Sequence, residues 1–447
     1  MNTVMQLFKQ LPRRIPTSML DRKEYITRSL PNHQNVFTIF FNGIIDRTIL
    51  EQSILLSVFA EPAIACMFQE NCLRPYWMKK DNLSILDIFT FLETNDDPDT
   101  VLNHFIFQEM DPTKAPQLRV LLIRHMNKDI LCILLSHSLC DGSGSKEYMY
   151  LLSSLYQEIS GNPDYRPEPV KYRKNLRSLR QVTKEFSFMK KIQIIKQGFN
   201  KEEFTGWQFP WEETRHHVRG HYVYRKLPVK YYDLFKNFCS GHGISLNALF
   251  LAAFFRALIL ICPGDSPAPR TLFVPVDLRR YIRRKEKTPI CNMSNGIQIN
   301  VDIDKQESSM NILGKIRDAL NGKMTKFPGL EHMFEELLFF KFLPYALLKK
   351  IFEKFRDNIP VIPPILSNVG IIESDKLCFG DTAIESVYLT GSSQDKGLLV
   401  ALLSYKKEFH FSTRFSGTEE DLKQVNAFLD AIINELIAVA GQQQDTQ

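Results

Sequence analysis

Residues 136–142 read SHSLCDG and directly follow an apolar run at 130–135, ILCILL. The run is typical of a buried β-strand, and Gly142 and Gly144 favour a sharp turn from that strand into a helix. Catalytic groups of α/β proteins are commonly placed where a strand ends and a helix begins. His137 is therefore a candidate general base, because a neutral imidazole accepts a proton near physiological pH. A histidine that only packs against the turn fits the same local pattern.

Strand and helix patterns alternate on both sides of this turn. Strands are predicted at 35–42, 118–124, 130–136, 222–227, 271–276, 296–303, 387–390, 398–405 and 409–415. Helices are predicted after Asp46, after Gly142, at 246–260 behind a Ser245 cap, at 308–324 and at 418–439. This alternation predicts an α/β protein with two halves of about 200 residues each.

The composition excludes several classes of protein. A chain of 447 residues that is 44% hydrophobic and 24% charged is neither disordered, nor collagen-like, nor a disulfide scaffold. Its net charge of +6 is too small for a dedicated nucleic-acid binder, so no nucleic-acid partner is expected. The eight cysteines are scattered without a CxxC pair, which fits reduced thiols and no metal site. Residues 1–25 lack the apolar core of a secretory signal, so a cytoplasmic location is predicted.

The basic residues are concentrated in one segment, 171–201, where ten of them accompany a single acid, Glu185. One interpretation is a solvated connection between domains. The other is an amphipathic element whose apolar side chains, including Phe186 and Met189, contact anionic lipid, an acidic carrier protein or a phosphorylated cofactor. Either interpretation places a boundary here. The predicted domains are an N-terminal lobe at 1–170, a basic connection at 171–205 and a C-terminal lobe at 206–447.

Several standard catalytic motifs are absent from the sequence. It contains no GxSxG, no HExxH and no GxxxxGK[ST], which argues against a serine hydrolase, a zinc protease and a P-loop enzyme. Cys140, inside the 136–142 stretch, is interpreted as a packing residue rather than a nucleophile, because free cysteines are mostly buried. The remaining candidate for chemistry is the histidine of this stretch.

Read with its surroundings, the stretch resembles the HHxxxDG motif of the chloramphenicol-acetyltransferase-like superfamily of CoA-dependent acyltransferases and condensation domains. The matching blocks are the strand at 35–42 with its Asp46 helix, LRVLLIR (118–124) with ILCILLSHSLCDGSG (130–144), HGISLNALFLAAFFRAL (242–258), FVPVDLRR (273–280) and LSNVG (366–370). The sequence looks most similar to the bacterial alcohol-acetyltransferase-like proteins of that group. The resemblance implies an α/β fold of two lobes, each with mixed sheets and flanking helices, that form a V around an active-site tunnel.

The resemblance also implies roles for individual residues. His137 matches the second motif histidine, which takes the proton from the acceptor. Asp141 is expected to pair with Arg279 of FVPVDLRR, or alternatively with Arg280, and so to hold the turn. Gly142 is expected to keep the tunnel open, because a side chain there would intrude. Ser367 and Asn368 are candidates for contacting the substrate or the developing oxyanion.

The implied reaction is direct transfer of an acyl group from an acyl-CoA to an alcohol, without an acyl-enzyme and without a permanently bound cofactor. The alternative is a free-standing condensation enzyme whose donor is carried on the phosphopantetheine of an acyl carrier protein, with an alcohol or amine as acceptor. The basic 171–201 segment suits an acidic carrier or the phosphates of CoA equally, and at most supports peripheral membrane contact. Ser136 replaces the first motif histidine, and a third interpretation is a binding protein that retains the fold without catalysis.

Overall fold

The protein is described by a computed structural model over residues 11–27, 33–80, 83–114, 116–167, 177–198, 208–212, 216–262, 269–282, 290–357, 363–391 and 397–441. The strands within these residues are β1 (Arg14–Pro16), β2 (Gln34–Phe41), β3 (Cys66–Gln69), β4 (Tyr76–Lys79), β5 (Phe89–Glu93), β6 (Leu118–His125), β7 (Lys128–Ser136), β8 (Arg219–Leu227), β9 (Pro269–Asp277), β10 (Ser294–Asp302), β11 (Ile365–Ile372), β12 (Ile384–Thr390), β13 (Leu399–Tyr405) and β14 (Glu408–Gly417). The helices are α1 (Met19–Thr27), α2 (Arg47–Ala60), α3 (Pro98–Ile106), α4 (Gly142–Gly161), α5 (Arg180–Thr183), α6 (Phe188–Gly198), α7 (Val229–His242), α8 (Leu246–Ile261), α9 (Ser309–Met324), α10 (Met333–Phe342), α11 (Tyr345–Asp357) and α12 (Glu419–Gly441).

A five-stranded mixed sheet, in the order β12-β2-β7-β6-β5, carries the 136–142 stretch at the end of β7. Strands β6 and β7 pair antiparallel along their length and form a hairpin. Met126 and Asn127 take positive φ values of 46° and 61°, the backbone of a tight two-residue hairpin turn.

The C-terminal half builds a second, six-stranded mixed sheet in the order β10-β9-β11-β13-β14-β8. All of the predicted strands in this half are present, and the apolar 246–260 stretch is the buried helix α8 behind its Ser245 cap. Helix α12 is long and apolar enough to cross a membrane by length and composition, as is the bent pair of α7 and α8 taken as one span. In this fold both α8 and α12 contribute to the core of the C-terminal half.

The two halves share a strand. Strand β12 belongs by sequence to the predicted lobe at 206–447, yet it pairs with β2 at the edge of the N-terminal sheet. A division of the chain into two consecutive lobes does not predict that a strand of the second lobe joins the sheet of the first. Residues of the 278–293 region likewise pack into the N-terminal core, including Leu278, Cys291 and Met293. The active-site stretch is therefore enclosed by both halves.

The basic segment is described only from residue 177 to 198. There it forms the short helix α5 and the helix α6, and it is not simply a solvated connection. Arg177 is buried at 5% exposure, and its guanidinium pairs with the buried Asp21 of α1. Phe188 and Met189, by contrast, are more than 70% exposed. The rest of the predicted 171–205 connection lies outside the described residues.

Candidate active site

The turn that carries His137 is held by side chains from distant parts of the chain. The backbone N–H of His137 donates to the carbonyl of His33 at 3.0 Å. Three side chains donate to the carbonyls of the turn: Asn292 to His137 and Ser138, Arg177 to Leu139, and Asn35 to Cys140. Since buried carbonyls need partners, this network fixes the path of the backbone at the end of β7.

Asp141 is buried and forms the N-cap of α4. One carboxylate oxygen accepts from the N–H of Gly144 at 2.7 Å, and the other accepts from the N–H of Met293 at 2.6 Å. That second oxygen also accepts from Arg279 Nη1 at 3.0 Å. The expected pairing of Asp141 with Arg279 is thus present, whereas the alternative, Arg280, is exposed and lies over the ring of Tyr281.

Arg279 ties this carboxylate to the second half of the chain. Its Nη1 also contacts Asp277 at 3.1 Å, and its Nη2 donates to the carbonyl of Cys291. Burial alone would lower the pKa of the Arg279 guanidinium, but Asp141 and Asp277 outweigh that effect and raise it. The guanidinium therefore stays charged, and its contact with Asp141 connects the two halves.

The two glycines of the turn differ in what surrounds them. A Cβ on Gly142 would lie 3.8 Å from Leu389 and 3.9 Å from Val369, which is ordinary van der Waals contact. A methyl group at Gly142 would therefore clash with no protein atom, and the expectation that a side chain there would intrude into a tunnel stays a prediction. A Cβ on Gly144 would lie 2.8 Å from Cys140 Cβ and 2.9 Å from the carbonyl of Cys291, so glycine is required there.

His137 lies beside a carboxylate and a second histidine. Its Nδ1 is 3.4 Å from Glu24 Oε2, and that same oxygen is 3.1 Å from Nε2 of His33. The two imidazole rings stack with their centroids 4.8 Å apart. All three side chains are mostly buried, at 15–25% exposure. The histidine at the strand end is therefore one member of a compact Glu24–His33–His137 cluster.

The electrostatics of this cluster favour a charged carboxylate. Burial alone would raise the pKa of Glu24, but His137, His33 and Lys23 together outweigh it and lower the pKa to about 2. Burial lowers the pKa of His33, against the opposing effect of its hydrogen bond with Glu24. Glu24 is therefore an ionised partner for His137 throughout the neutral pH range.

The same cluster has the ligand types that a divalent metal ion uses. One ligand atom from each of the three residues lies within 4.8 Å of the other two. Two imidazole nitrogens and a carboxylate oxygen are donors that zinc accepts. The prediction of no metal site remains a prediction.

A cavity of about 210 Å³ opens beside Glu24, between α1 and the strands of the second sheet. Ile365 of β11 lines it, and Ser367 projects from the same face of that strand two residues later. Asn368 projects from the opposite face, where its amide contacts Asn247 of α8 and its oxygen accepts from the N–H of Gly370. Ser367 thus lies on the face of β11 that carries Ile365 beside this cavity. Asn368 lies on the other face, where β11 has a register shift between Asn368 and Gly370.

Sequence reasoning missed Glu24, His33, Asn292 and Arg177. A usable signal existed only for Glu24, because Ser18 and Asp21 form a reciprocal hydrogen-bonded cap at the start of α1. That cap pattern locates a helix and thereby the carboxylate that the helix presents. The other three are brought to the site by contacts that no local pattern encodes.

The chain was compared with known proteins. No protein-family model matches it, and no curated protein sequence matches it. Among solved structures, the first condensation domain of the CDA synthetase superposes with a TM-score of 0.68 at 12% identity, covering 96% of both chains. The trichothecene 15-O-acetyltransferase of Fusarium sporotrichioides gives 0.66 at 11% identity over 96% of this chain and 95% of the other.

A third similar structure is polyketide synthase associated protein 5 of Mycobacterium tuberculosis. Its TM-score is 0.64 at 15% identity, over 96% of this chain and the whole of that one. At such low identities the likeness concerns the fold, and it extends over both halves of the chain. The protein therefore has the two-lobed α/β fold of these condensation-domain and acyltransferase structures.

Proposed function

We propose that the protein is an acyltransferase that moves an acyl group from a thioester to a hydroxyl acceptor, with His137 as general base. The observation that carries the proposal is the contact of 3.4 Å between His137 Nδ1 and the ionised Glu24. This carboxylate makes no hydrogen bond to Nδ1 within the described residues, and its negative charge stabilises the imidazolium that forms when the other ring nitrogen takes a proton. The fold is shared with solved acyltransferase and condensation structures, which is consistent with this chemistry.

In the proposed reaction, His137 Nε2 removes the hydroxyl proton as the acceptor oxygen attacks the thioester carbonyl. The carbon–sulfur bond then breaks, and the imidazolium returns the proton to the departing thiolate. No bond to the enzyme forms at any point. The cavity beside Glu24 offers space for a reacting group, and Ser367, on the face of β11 that lines it, is the candidate hydrogen-bond donor for the oxyanion.

The proposed donor is an acyl-CoA, and the proposed acceptor is an alcohol. A second candidate is condensation with a donor bound to a carrier protein. The similarity to a condensation domain over 96% of both chains favours keeping this candidate. Both reactions use the same base, so the donor must be identified by experiment.

The test is a thiol-release assay with the purified full-length chain. Acetyl-CoA and longer acyl-CoAs are offered with and without a panel of alcohols and amines, and acylated carrier protein is offered in parallel. Thiol release from an acyl-CoA that requires an added alcohol supports the proposal. Activity only with the loaded carrier favours the condensation enzyme. Absence of turnover with every donor and acceptor class would leave the fold serving as a binding protein, contrary to the proposal.

A further inference from the structure

An exposed apolar surface lies on the opposite side of α1 from the cavity that holds Glu24. Six large hydrophobic side chains of the region around α10 and α11 are 45–70% exposed: Leu73, Leu338, Phe339, Phe342, Leu347 and Ile351. Five of them lie on the consecutive helices α10 and α11, and Leu73 lies beside the start of α11, because the N–H groups of Tyr345 and Ala346 donate to the carbonyls of Leu73 and Cys72. We call these six residues the α10–α11 surface.

The exposure of this surface is unusual for the molecule. Among the described residues, 18 large hydrophobic side chains are exposed, and six of them belong to this one region. It also contains Phe339 and Phe342, two of the three exposed phenylalanines in the described chain. Single exposed hydrophobic residues are normal on a protein surface. A cluster of large exposed apolar side chains, by contrast, usually marks a binding surface.

Basic side chains surround the apolar ones. Lys341 and Lys350 are exposed, and neither pairs with a carboxylate among the described residues. Two carboxylates at its edge are neutralised by contacts within the protein, Glu336 by Lys23 and Glu70 by Lys349. Glu335 and Glu353 of the same helices are half-buried, and the exposed charged side chains described on α10 and α11 are all basic: Lys341, Lys350 and Lys354. This exposed charge complements an anionic partner.

A second cavity, of about 490 Å³, opens where α10 meets the start of α1. It is lined by Leu338 and Lys341 of α10 and by Arg22 and Arg74. The Arg22 guanidinium is partly buried, and within the described part of the chain it donates to the backbone carbonyls of Ser18 and Phe340. Burial, together with the nearby Arg74, lowers the pKa of Arg22. Two like charges without a carboxylate in the cavity suit a bound anion.

We propose that the α10–α11 surface docks on an anionic phospholipid membrane, with Phe339 and Phe342 entering the interface and a headgroup phosphate in the cavity of Arg22 and Arg74. The mixture of aromatic side chains, leucines and lysines on two short helices is that of an interfacial element rather than of a spanning one. Long lysine side chains can hold their charge at the headgroups while their stems lie along the apolar surface. Docking would place the mouth of this cavity at the membrane, one helix away from the Glu24–His33–His137 cluster.

The test is sedimentation of the full-length protein with vesicles, which needs no turnover and so is independent of the proposed reaction. Vesicles of phosphatidylcholine are compared with vesicles containing about one third phosphatidylserine, at low and high salt. Binding to the anionic vesicles that weakens with salt is expected. The double variant Phe339→Ser/Phe342→Ser should bind the vesicles at least about tenfold more weakly than the parent protein. Arg74→Gln should reduce the preference for anionic lipid.

The matched control is Leu86→Ser, which removes an exposed leucine, at 84% exposure, from a different part of the molecule. It should bind as the parent protein does. Equal recovery with both vesicle types, or no recovery at all, overturns the proposal. So does a concentration-dependent dimer in solution that the phenylalanine double variant abolishes, because the occupant is then a second copy of the chain. Stabilisation by inorganic phosphate through Arg74 without vesicle binding also contradicts it.

Discussion

Glu24 determines the environment in which His137 operates. Its carboxylate contacts both His33 and His137, and its pKa of about 2 keeps it ionised wherever the protein is folded and active. Loss of activity on acidification should therefore reflect protonation of a histidine rather than of Glu24. A nearby anion favours the imidazolium that a general base becomes when it takes a proton.

Glu24→Gln should lower kcat at least tenfold with little change in KM, because the amide cannot stabilise the imidazolium formed during transfer. Steady-state kinetics with the substrate pair from the thiol-release assay measures the effect. Glu336→Gln is the matched control, since it removes a carboxylate that contacts the neighbouring Lys23 and not the histidines. Equal kcat values for Glu24→Gln and the parent would show that the carboxylate does not assist the base.

Asp141→Asn should destabilise the protein by about 3 kcal/mol, because the substitution removes the buried one of the two carboxylates that pair with the buried Arg279. Denaturant unfolding measures the change. Gly142→Ala, next along the chain, is the comparison and should have a much smaller effect, since its methyl group makes only ordinary contacts. Full stability with lost turnover in Asp141→Asn would instead assign the aspartate a chemical role.

The residues of the candidate site that could be predicted are those identified by a short stretch of sequence around them. His137 and Asp141 lie in one turn, and Arg279 follows from a block that resembles a known family. Asn292 contacts the His137 carbonyl from 155 residues away, and Arg177 was counted among solvated basic residues although it is buried. Such contacts depend on the packing of the two halves, which no spacing in the chain expresses.

Strand β12 is the element that joins the two sheets. It pairs with β2, while its Tyr388 packs against His410 of β14 with ring centroids 5.1 Å apart. His410 is 1% exposed, and neither ring nitrogen has a hydrogen-bond partner among the described residues. Burial, with a smaller effect of Lys226, lowers the pKa of His410 to about 3. A neutral histidine is thus packed at the junction.

This junction should weaken in acid. The unfolded chain binds a proton at His410 below about pH 6.5, whereas the folded protein does not until about pH 3, so stability falls as the pH drops through this window. The loss attributable to this group is at most about 1.4 kcal/mol per pH unit. His410→Phe should flatten the dependence of melting temperature on pH between 6.5 and 4.5, and His104→Phe, at an exposed position, should not. Parallel pH profiles for His410→Phe and the parent would contradict the account.

At the level of elements, the caps were the most predictable features. Asp46 and Ser245 cap the helices that were predicted to follow them, and Thr418 and Asp421 form a reciprocal cap at the start of α12. The pairing of β12 with the N-terminal sheet could not be predicted. The alternation of apolar and polar residues in a strand shows which face is buried, but not which strand it pairs with. Helices α10 and α11 were also missed. Some of their apolar residues lie on the exposed side of the helix. The helical spacing of apolar residues, which normally marks the buried face, is therefore not a guide there.

The whole molecule is held together by polar contacts between its halves as well as by β12. Arg414 of β14 is 3% exposed and donates to the carbonyls of Gln34, Ile106 and Gly391. Burial lowers the pKa of Arg414 to about 10. Two of these carbonyls belong to the N-terminal half, so the side chain connects the two sheets. The two-lobed architecture followed from the alternation and the family resemblance, but the means of joining the lobes did not.

Arg414→Met should reduce the free energy of unfolding by about 2–4 kcal/mol, because the carbonyls of Gln34, Ile106 and Gly391 each lose one donor. Arg225→Met is the comparison, since Arg225 forms partly exposed contacts within the C-terminal half and should change stability by less than about 1 kcal/mol. Denaturant titration of both variants measures the difference. Similar small losses for the two would indicate that the halves do not depend on Arg414.

The central claim is that His137 is the base of a direct acyl transfer. It is tested by the turnover number of His137→Ala with the substrate pair found in the thiol-release assay, once circular dichroism has shown that the variant is folded. The account predicts a loss of about two to four orders of magnitude, without an acylated form of the parent enzyme in its intact mass. Turnover by His137→Ala equal to that of the parent would contradict it.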